Sequence, residues 1–142
     1  MVDEIKEKIL IIGASGLLGT ALCQELSKDY SLFTPDEKEL DITDAQKTES
    51  ICQQLKPRVI VLTAAYTDVD GCEENPELAY SINVEGVKNV AQAAKAIHAI
   101  LIYLSTDYIF SGKALKPYQE QSKPDPISVY GRTKWQGEEV VR

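Results

Sequence analysis

Three cysteines, one histidine, one tryptophan and one methionine in 142 residues leave little room for chemistry built on those side chains. Cys23, Cys52 and Cys72 are odd in number, share no CxxC spacing and fall in helix-like or loop-like stretches. That pattern fits neither a disulfide framework nor a zinc site, and points to a reducing cytoplasm. His98, between two apolar residues, has no partner in the sequence for acid–base work and reads as structural or exposed. Basic residues are also in deficit, 15 Lys and Arg against 22 Asp and Glu for a net charge of -7. A surface of that sign excludes nucleic acid or an anionic membrane as a general partner. No apolar run approaches the ~20 residues of a membrane-spanning helix. The amino terminus, MVDEIKEK, is acidic and mixed in charge where a secretory leader is basic and then apolar. What remains is a soluble chain, 44% hydrophobic, of a length suited to one domain around one core.

Short apolar runs alternate with helical patterns. KILII (Lys8 to Ile12), Leu17 to Leu26, SLF, Thr43 to Leu55 and VIVL (Val59 to Leu62) predict βαβ units and an α/β, Rossmann-like, doubly wound parallel sheet. From Asn75, NPELAYSINVEGVKNVAQAAKAI opens with a cap residue and a proline at the first helical position and predicts one helix of about six turns. AILIYLS then reads as a strand buried on both faces. The polar stretch from Thr106 to Pro126, with one glycine and three prolines, reads as a long loop at the carboxyl end of that strand, where open α/β sheets hold ligands. A last helix is expected from about Ser128.

GASGLLG (Gly13, Gly16, Gly19) follows the first strand and opens the first helix. Glycines there permit a tight turn and close approach of backbone to a pyrophosphate, which the helix amides then hold. Asp36 and Glu37 follow the second strand, where an acidic residue would bond the adenosine ribose and repel a 2′-phosphate. Lys38 beside them leaves NADH and NADPH both open, and a turn role after Pro35 accounts for Asp36 equally well.

Tyr130 and Lys134 stand four residues apart, on one face of the last helix. A carbonyl that receives hydride needs a proton at its oxygen. A tyrosine, with an ordinary pKa near 10, becomes a useful donor when a neighbouring ammonium stabilises its phenolate. Ser105 and Thr106, ending the preceding strand, are placed to orient such a carbonyl. YxxxK alone is commonplace on exposed helices. In order after a glycine turn and strand-end hydroxyls, however, it resembles the short-chain dehydrogenase/reductase superfamily.

AAYTDVDGCEENPELAYSINVEG, LSTDYIFSG, the PYQE and KPDP segments and VYGRTKWQGE narrow the resemblance to the dTDP-4-dehydrorhamnose reductase family, over nearly the whole chain. That resemblance implies that Thr106 orients the substrate carbonyl, Tyr130 donates the proton, and Lys134 lowers its pKa and holds ribose. It implies contacts from Gly13, Ser15, Gly16, Leu17 and Leu18 to pyrophosphate, from Asp41 and Ile42 to adenine, and from Ala64, Ala65, Tyr66 and Ser105 to the nicotinamide side. Tyr108 would line the substrate pocket, and Asn83 matches a helix asparagine linked to the lysine. VLTAAYT departs from the family's more usual VNAAAYT, which puts a Thr63 hydroxyl beneath the cofactor. Asp68, Asp70, Glu73 and Glu74 read as a solvated acidic loop and no metal site, and Trp135 as the residue that packs the last helix on the sheet.

Members of that family are about twice as long, with a carboxyl-terminal lobe that binds the nucleotide end of the sugar. Residues 1–142 are therefore expected to form the NAD(P)-binding, catalytic domain, with the substrate lobe outside this chain. The implied reaction is reduction of dTDP-4-dehydrorhamnose to dTDP-L-rhamnose with NADPH or NADH. The dTDP-sugar is the partner, and a homodimer is admitted but not required. Two alternatives stand beside it: a non-catalytic dinucleotide-binding subunit resembling the regulatory subunit of methionine adenosyltransferase, and another sugar-nucleotide reductase or epimerase.

Overall fold

All four strands of the sheet are parallel, because a helical crossover between each strand and the next returns the chain to the same end of the sheet. A computed structural model describes residues 6–142, so residues 1–5, which begin the acidic amino terminus discussed above, lie outside the described residues. Strands β1 (Lys8–Ile12), β2 (Ser31–Phe33), β3 (Val59–Leu62) and β4 (Ile100–Tyr103) pair in the order β2-β1-β3-β4. Ile12 stands beside Leu62, and Leu62 beside Tyr103, so three strands end level with one another. The order reverses at β1, which opens a crevice between the carboxyl ends of β1 and β3.

The crossovers are α1 (Leu17–Leu26), α2 (Ala45–Leu55), and a longer path through α3 (Val69–Glu74), α4 (Pro76–Tyr80) and α5 (Val87–Ala96); α6 (Val129–Val141) follows β4. Some of these starts have a local side-chain cap. Asp44 accepts a hydrogen bond from the Lys47 amide to cap α2, and Ser128 accepts one from the Gly131 amide to cap α6. None of the described helices is long and apolar enough to cross a membrane.

Alternation along the strands divides the core into two layers. Leu10, Ile12, Ile60 and Leu62 face α2 and α5, and close on Cys52, Val87, Val90, Ala93 and Ala94. Ile9, Ile11 and Val61 face the other way, against Leu22, Cys23 and Leu26 of α1. The expectation that β4 is buried on both faces does not hold: Ile100 and Ile102 are 56% and 46% exposed. They share the α1 side of the sheet, where α1 lies over β1 and leaves β4 uncovered. An apolar run reads alike whether one face or two is covered, since coverage depends on which layers the chain supplies.

The helix expected from Asn75 runs unbroken over residues 76–96, about six turns, but it is not a regular α-helix throughout. Between α4 and α5 the segment Ser81–Gly86 winds as a π-helix, whose wider turn carries the fully buried Asn83. His98 is exposed with φ at 57° and closes α5: its amide donates to the Lys95 carbonyl, and that of Ala99 to Ala94. Trp135 does not pack α6 onto the sheet. It is half-buried under the Arg142 guanidinium, 4.9 Å from its ring, while Val141 on another face of the helix reaches the core.

Gly137 is where α6 passes the π-helical segment. A Cβ there would meet the Asn83 carbonyl oxygen, and would lie 2.6 Å from the Tyr103 hydroxyl. Gly137→Ala should therefore lower the unfolding free energy by about 1–3 kcal/mol through overpacking. On an open helix surface the same change would raise stability by up to about 1 kcal/mol. The sign of the shift in urea midpoint distinguishes the two.

Candidate active site

The crevice at the reversal of strand order is lined on one wall by the glycine turn. Gly13 has φ at 95°, a conformation glycine adopts without strain, and a Cβ there would fall 2.5 Å from the Ala64 amide nitrogen. The loops after β1 and β3 thus approach to a separation that no other residue permits. Gly16 donates its amide to the Gly13 carbonyl at 3.1 Å and becomes the N-cap of α1, with no side chain capping the helix. Amides of the first turn, Leu17 and Leu18 among them, therefore face the crevice rim without acceptors from the helix itself. Leu17 is fully exposed and Leu18 nearly half exposed, so neither side chain shields these groups. Gly19 is buried where its Cβ would meet the Gly13 carbonyl oxygen, which sets helix against turn. The cradle fits a diphosphate: it is open, backbone-lined, and at the positive end of a helix.

A second wall is α6, which packs beside the end of β4 and is tied to the loop after β3 through Asn83. Lys134 is 4% exposed, and its Nζ donates to the Leu104 carbonyl at 2.6 Å and lies 4.3 Å from the centre of the Tyr103 ring. Burial pushes its pKa down to about 8. Burial also pushes the Tyr103 phenol well above its ordinary value, so it stays protonated and donates to the Lys134 carbonyl at 3.0 Å. Tyr130, half-buried one turn before Lys134, meets Tyr108 edge to face with ring centres 5.4 Å apart. Gly131 beside it touches the Tyr108 carbonyl oxygen so closely that a Cβ would overlap it. The loop after β4 is therefore pressed against the start of α6.

Asn83 joins the walls. Its Oδ1 accepts from the Tyr66 amide at 2.9 Å, and its Nδ2 donates to the Tyr66 carbonyl at 3.0 Å and to Thr133 Oγ1 at 3.2 Å. Thr133 in turn donates to the Tyr130 carbonyl at 3.1 Å. The loop Ala64–Tyr66, the π-helical turn and the tyrosine-bearing helix are one hydrogen-bonded unit, with every polar group of Asn83 satisfied.

Other expected residues are placed as follows. Thr106 Oγ1 accepts from the Tyr108 amide at 3.2 Å and donates to Asp107 Oδ1 at 3.3 Å, so its proton is held locally. Ser105 is exposed, and its hydroxyl turns to Glu138 Oε2 at 2.7 Å. Asp41 folds back on Thr43, whose hydroxyl and amide lower its pKa. Ile42 sends its side chain into the core against Gly86, leaving only its backbone at the rim. Asp36 and Glu39 cap one another's amides at 2.9 Å, the turn role that its position after Pro35 allowed. Ser15 is exposed in the glycine turn. Thr63 Oγ1 donates toward the carbonyls of Ile12 and Gly13, both at 3.0 Å.

Two contacts went unread in the sequence, one of them local and one beyond its reach. The acidic stretch read as a solvated loop contains two caps. Asp68 accepts from the Gly71 amide to start α3, and Glu73 accepts from the Val129 amide at 2.7 Å to start α6. Glu73 and Val129 are 56 positions apart, so only the fold reveals the pairing.

The family model described as RmlD substrate binding domain matches residues 7–142. A dTDP-4-dehydrorhamnose reductase of Streptomyces griseus is 42% identical over 133 residues, 93% of this chain and 44% of that protein. Methionine adenosyltransferase 2 subunit beta of Xenopus tropicalis is 39% identical over 142 residues, 94% of this chain and 42% of that protein. A crystal structure of dTDP-4-dehydrorhamnose reductase from Bacillus anthracis in complex with NADP superposes with a TM-score of 0.94 at 41% identity, covering 98% of this chain and 50% of that one. The chain spans about half the length of the relatives it matches.

Two outcomes follow from this geometry. Lys134 has a lower pKa folded, about 8, than its ordinary 10.5. The unfolded chain therefore binds more protons between those values, and stability should rise with pH across that window. Measured against Lys134→Met, wild type should gain up to about 3 kcal/mol in chemical unfolding between pH 8 and 10.5; a flat difference refutes the buried ammonium. Glu73→Ala should cost about 1–2 kcal/mol as a lost helix cap and charge–dipole contact, and Glu73→Gln less, read by thermal unfolding.

Proposed function

Because this chain belongs to the RmlD substrate binding domain family, we propose that it holds a nicotinamide dinucleotide and donates the proton in reduction of a 4-keto sugar nucleotide. The specific reaction is that of dTDP-4-dehydrorhamnose to dTDP-L-rhamnose. The observation that supports it most directly is Lys134: a buried cation one turn from Tyr130, satisfied by a carbonyl and a ring face, and part of none of the ion pairs among the described residues. A buried ammonium without a carboxylate is costly, and titratable groups perturbed in this way concentrate at functional sites.

Gly13, Ser15, Gly16 and the amides of Leu17 and Leu18 would hold the diphosphate, with the backbone of Asp41 and Ile42 at the adenine end. Ala64, Ala65 and Tyr66, fixed by Asn83, would form the floor of the nicotinamide side. A reduced nicotinamide supplies hydride when bound. Tyr130 would give its hydroxyl proton to the developing alkoxide, and Lys134 would stabilise the phenolate left behind while its Nζ lies within the crevice wall. Thr106, released from Asp107, would hold the carbonyl, and Tyr108 would cover the sugar beside Tyr130. Ser105, bound to Glu138, would border the nicotinamide through its backbone.

The similarity to methionine adenosyltransferase 2 subunit beta supports a second reading, a dinucleotide-binding subunit that acts through a partner enzyme. The two readings share the dinucleotide and differ in proton transfer.

Titration of the chain with NADPH and NADH, followed by nicotinamide fluorescence, tests the shared step. Gly16→Asp is the informative variant: aspartate is a favoured N-cap and should keep α1 folded, while its carboxylate opposes the diphosphate. Wild type should bind saturably and Gly16→Asp at least tenfold more weakly, with unchanged circular dichroism. If binding holds, production of dTDP-L-rhamnose by a chain spanning the relatives' full length, and its loss in Tyr130→Phe, separates the reductase from the regulatory subunit. Equal binding by Gly16→Asp would remove the glycine turn from the site.

A further inference from the structure

Thr63, the first residue after β3, is bonded to the turn that follows β1. Its Oγ1 lies 3.0 Å from the Ile12 carbonyl and 3.0 Å from that of Gly13, so one hydroxyl proton is shared between the last strand residue and the first glycine. A Cβ on Gly13 would sit 2.7 Å from the same oxygen. Within the turn, Gly16 donates to the Gly13 carbonyl, and Thr20 donates its hydroxyl to Ala14 at 3.2 Å from the helix that the turn opens. Among the described residues, Thr63 is the one side chain from another strand that bonds to Gly13–Gly16.

That placement has an energetic consequence. A glycine-containing turn loses more conformational entropy on ordering than any other, and Gly13 lies outside the sheet ladder that fixes Ile12. A hydroxyl anchored at the end of β3 ties the turn to the most rigid part of the sheet. We infer that Thr63 is a positioning residue for dinucleotide binding, holding the glycine turn in the conformation that presents its amides to the diphosphate. The inference rests on the dinucleotide reading given above and adds a residue to it.

The hydroxyl can be removed without orphaning an acceptor. Ile12 still receives the amides of Thr63 and Ala64, both at 2.9 Å, and Gly13 still receives that of Gly16. Thr63→Val, nearly isosteric, should therefore fold, whereas Thr63→Ser keeps the donor. Losing one neutral hydrogen bond shifts the turn's opening equilibrium about fivefold, and apparent affinity falls by up to the same factor.

Hydrogen exchange over residues 13–19, and NADPH and NADH titrations, should be compared for wild type, Thr63→Val and Thr63→Ser. Thr63→Val should exchange several-fold faster in the turn with unchanged protection in β3, and bind the dinucleotide more weakly, by up to about fivefold. Thr63→Ser should restore both to within twofold. Wild-type exchange in Thr63→Val, or failure of serine to rescue, overturns the inference. Should wild type bind neither dinucleotide, the functional reading fails, while turn exchange still decides whether Thr63 orders it.

Discussion

The approach of the Gly13 turn to Ala64 is the constraint on which the rest of the molecule depends. Two parallel strands of one sheet can lie side by side only if the loops at their carboxyl ends clear each other. Here they do so with no space for a Cβ at Gly13. Reversal of strand order at β1 sends the chain away on both sides, so the turn after β1 and the loop after β3 bound a crevice that the fold itself creates. Everything that faces the crevice is positioned relative to this contact: α1 by Gly19 against the turn, and Ala64–Tyr66 by continuation from β3.

The second wall is held by polar groups where the first is held by shape. Asn83 is fully buried, and an unpaired carboxamide there would be destabilising; with both backbone groups of Tyr66 and the Thr133 hydroxyl as partners it becomes a specific clamp. A regular α-helix through Ser81–Gly86 would rotate this side chain away, which gives the π-helical turn a reason in the local register. The apolar core closes the sheet against α2 and α5 on the same side. The clamp and the core thus act on one layer, and the other face, from α1 to the open side of β4, is the less finished one.

Periodicity made the four strands, the crossovers and the parallel sheet legible, because alternating strand and helix patterns have few topological solutions. Motif spacing made the glycine turn and the Tyr130–Lys134 pair legible, since both depend on residues near in sequence. What escaped was decided across distance. The open face of β4 depends on layers no local pattern encodes, and the π-helical turn on a buried asparagine whose partners lie at positions 66 and 133. Glu73 was one acid among several until α6 folded onto it, and Trp135 was misplaced because apolar character fixes a preference for burial without fixing a partner. Thr63 stands out in the sequence as a departure, but its bonds to the carbonyls of Ile12 and Gly13, across 51 and 50 positions, are visible only in the fold.

Under the proposed function the two walls would meet different electrostatic demands. A diphosphate brings its own negative charge, so backbone amides and a helix end suffice on the glycine side, and no lysine or arginine bonds to the turn among the described residues. A phenolate, by contrast, exists only transiently and needs a fixed positive charge nearby. A carboxylate beside Lys134 would make its burial cheap but would cancel its field at Tyr130. The Leu104 carbonyl and the face of the Tyr103 ring solvate the ammonium with dipole and quadrupole, which hold it in place and leave its net charge intact. The same choice leaves burial uncompensated, and desolvation draws the lysine's pKa down to about 8.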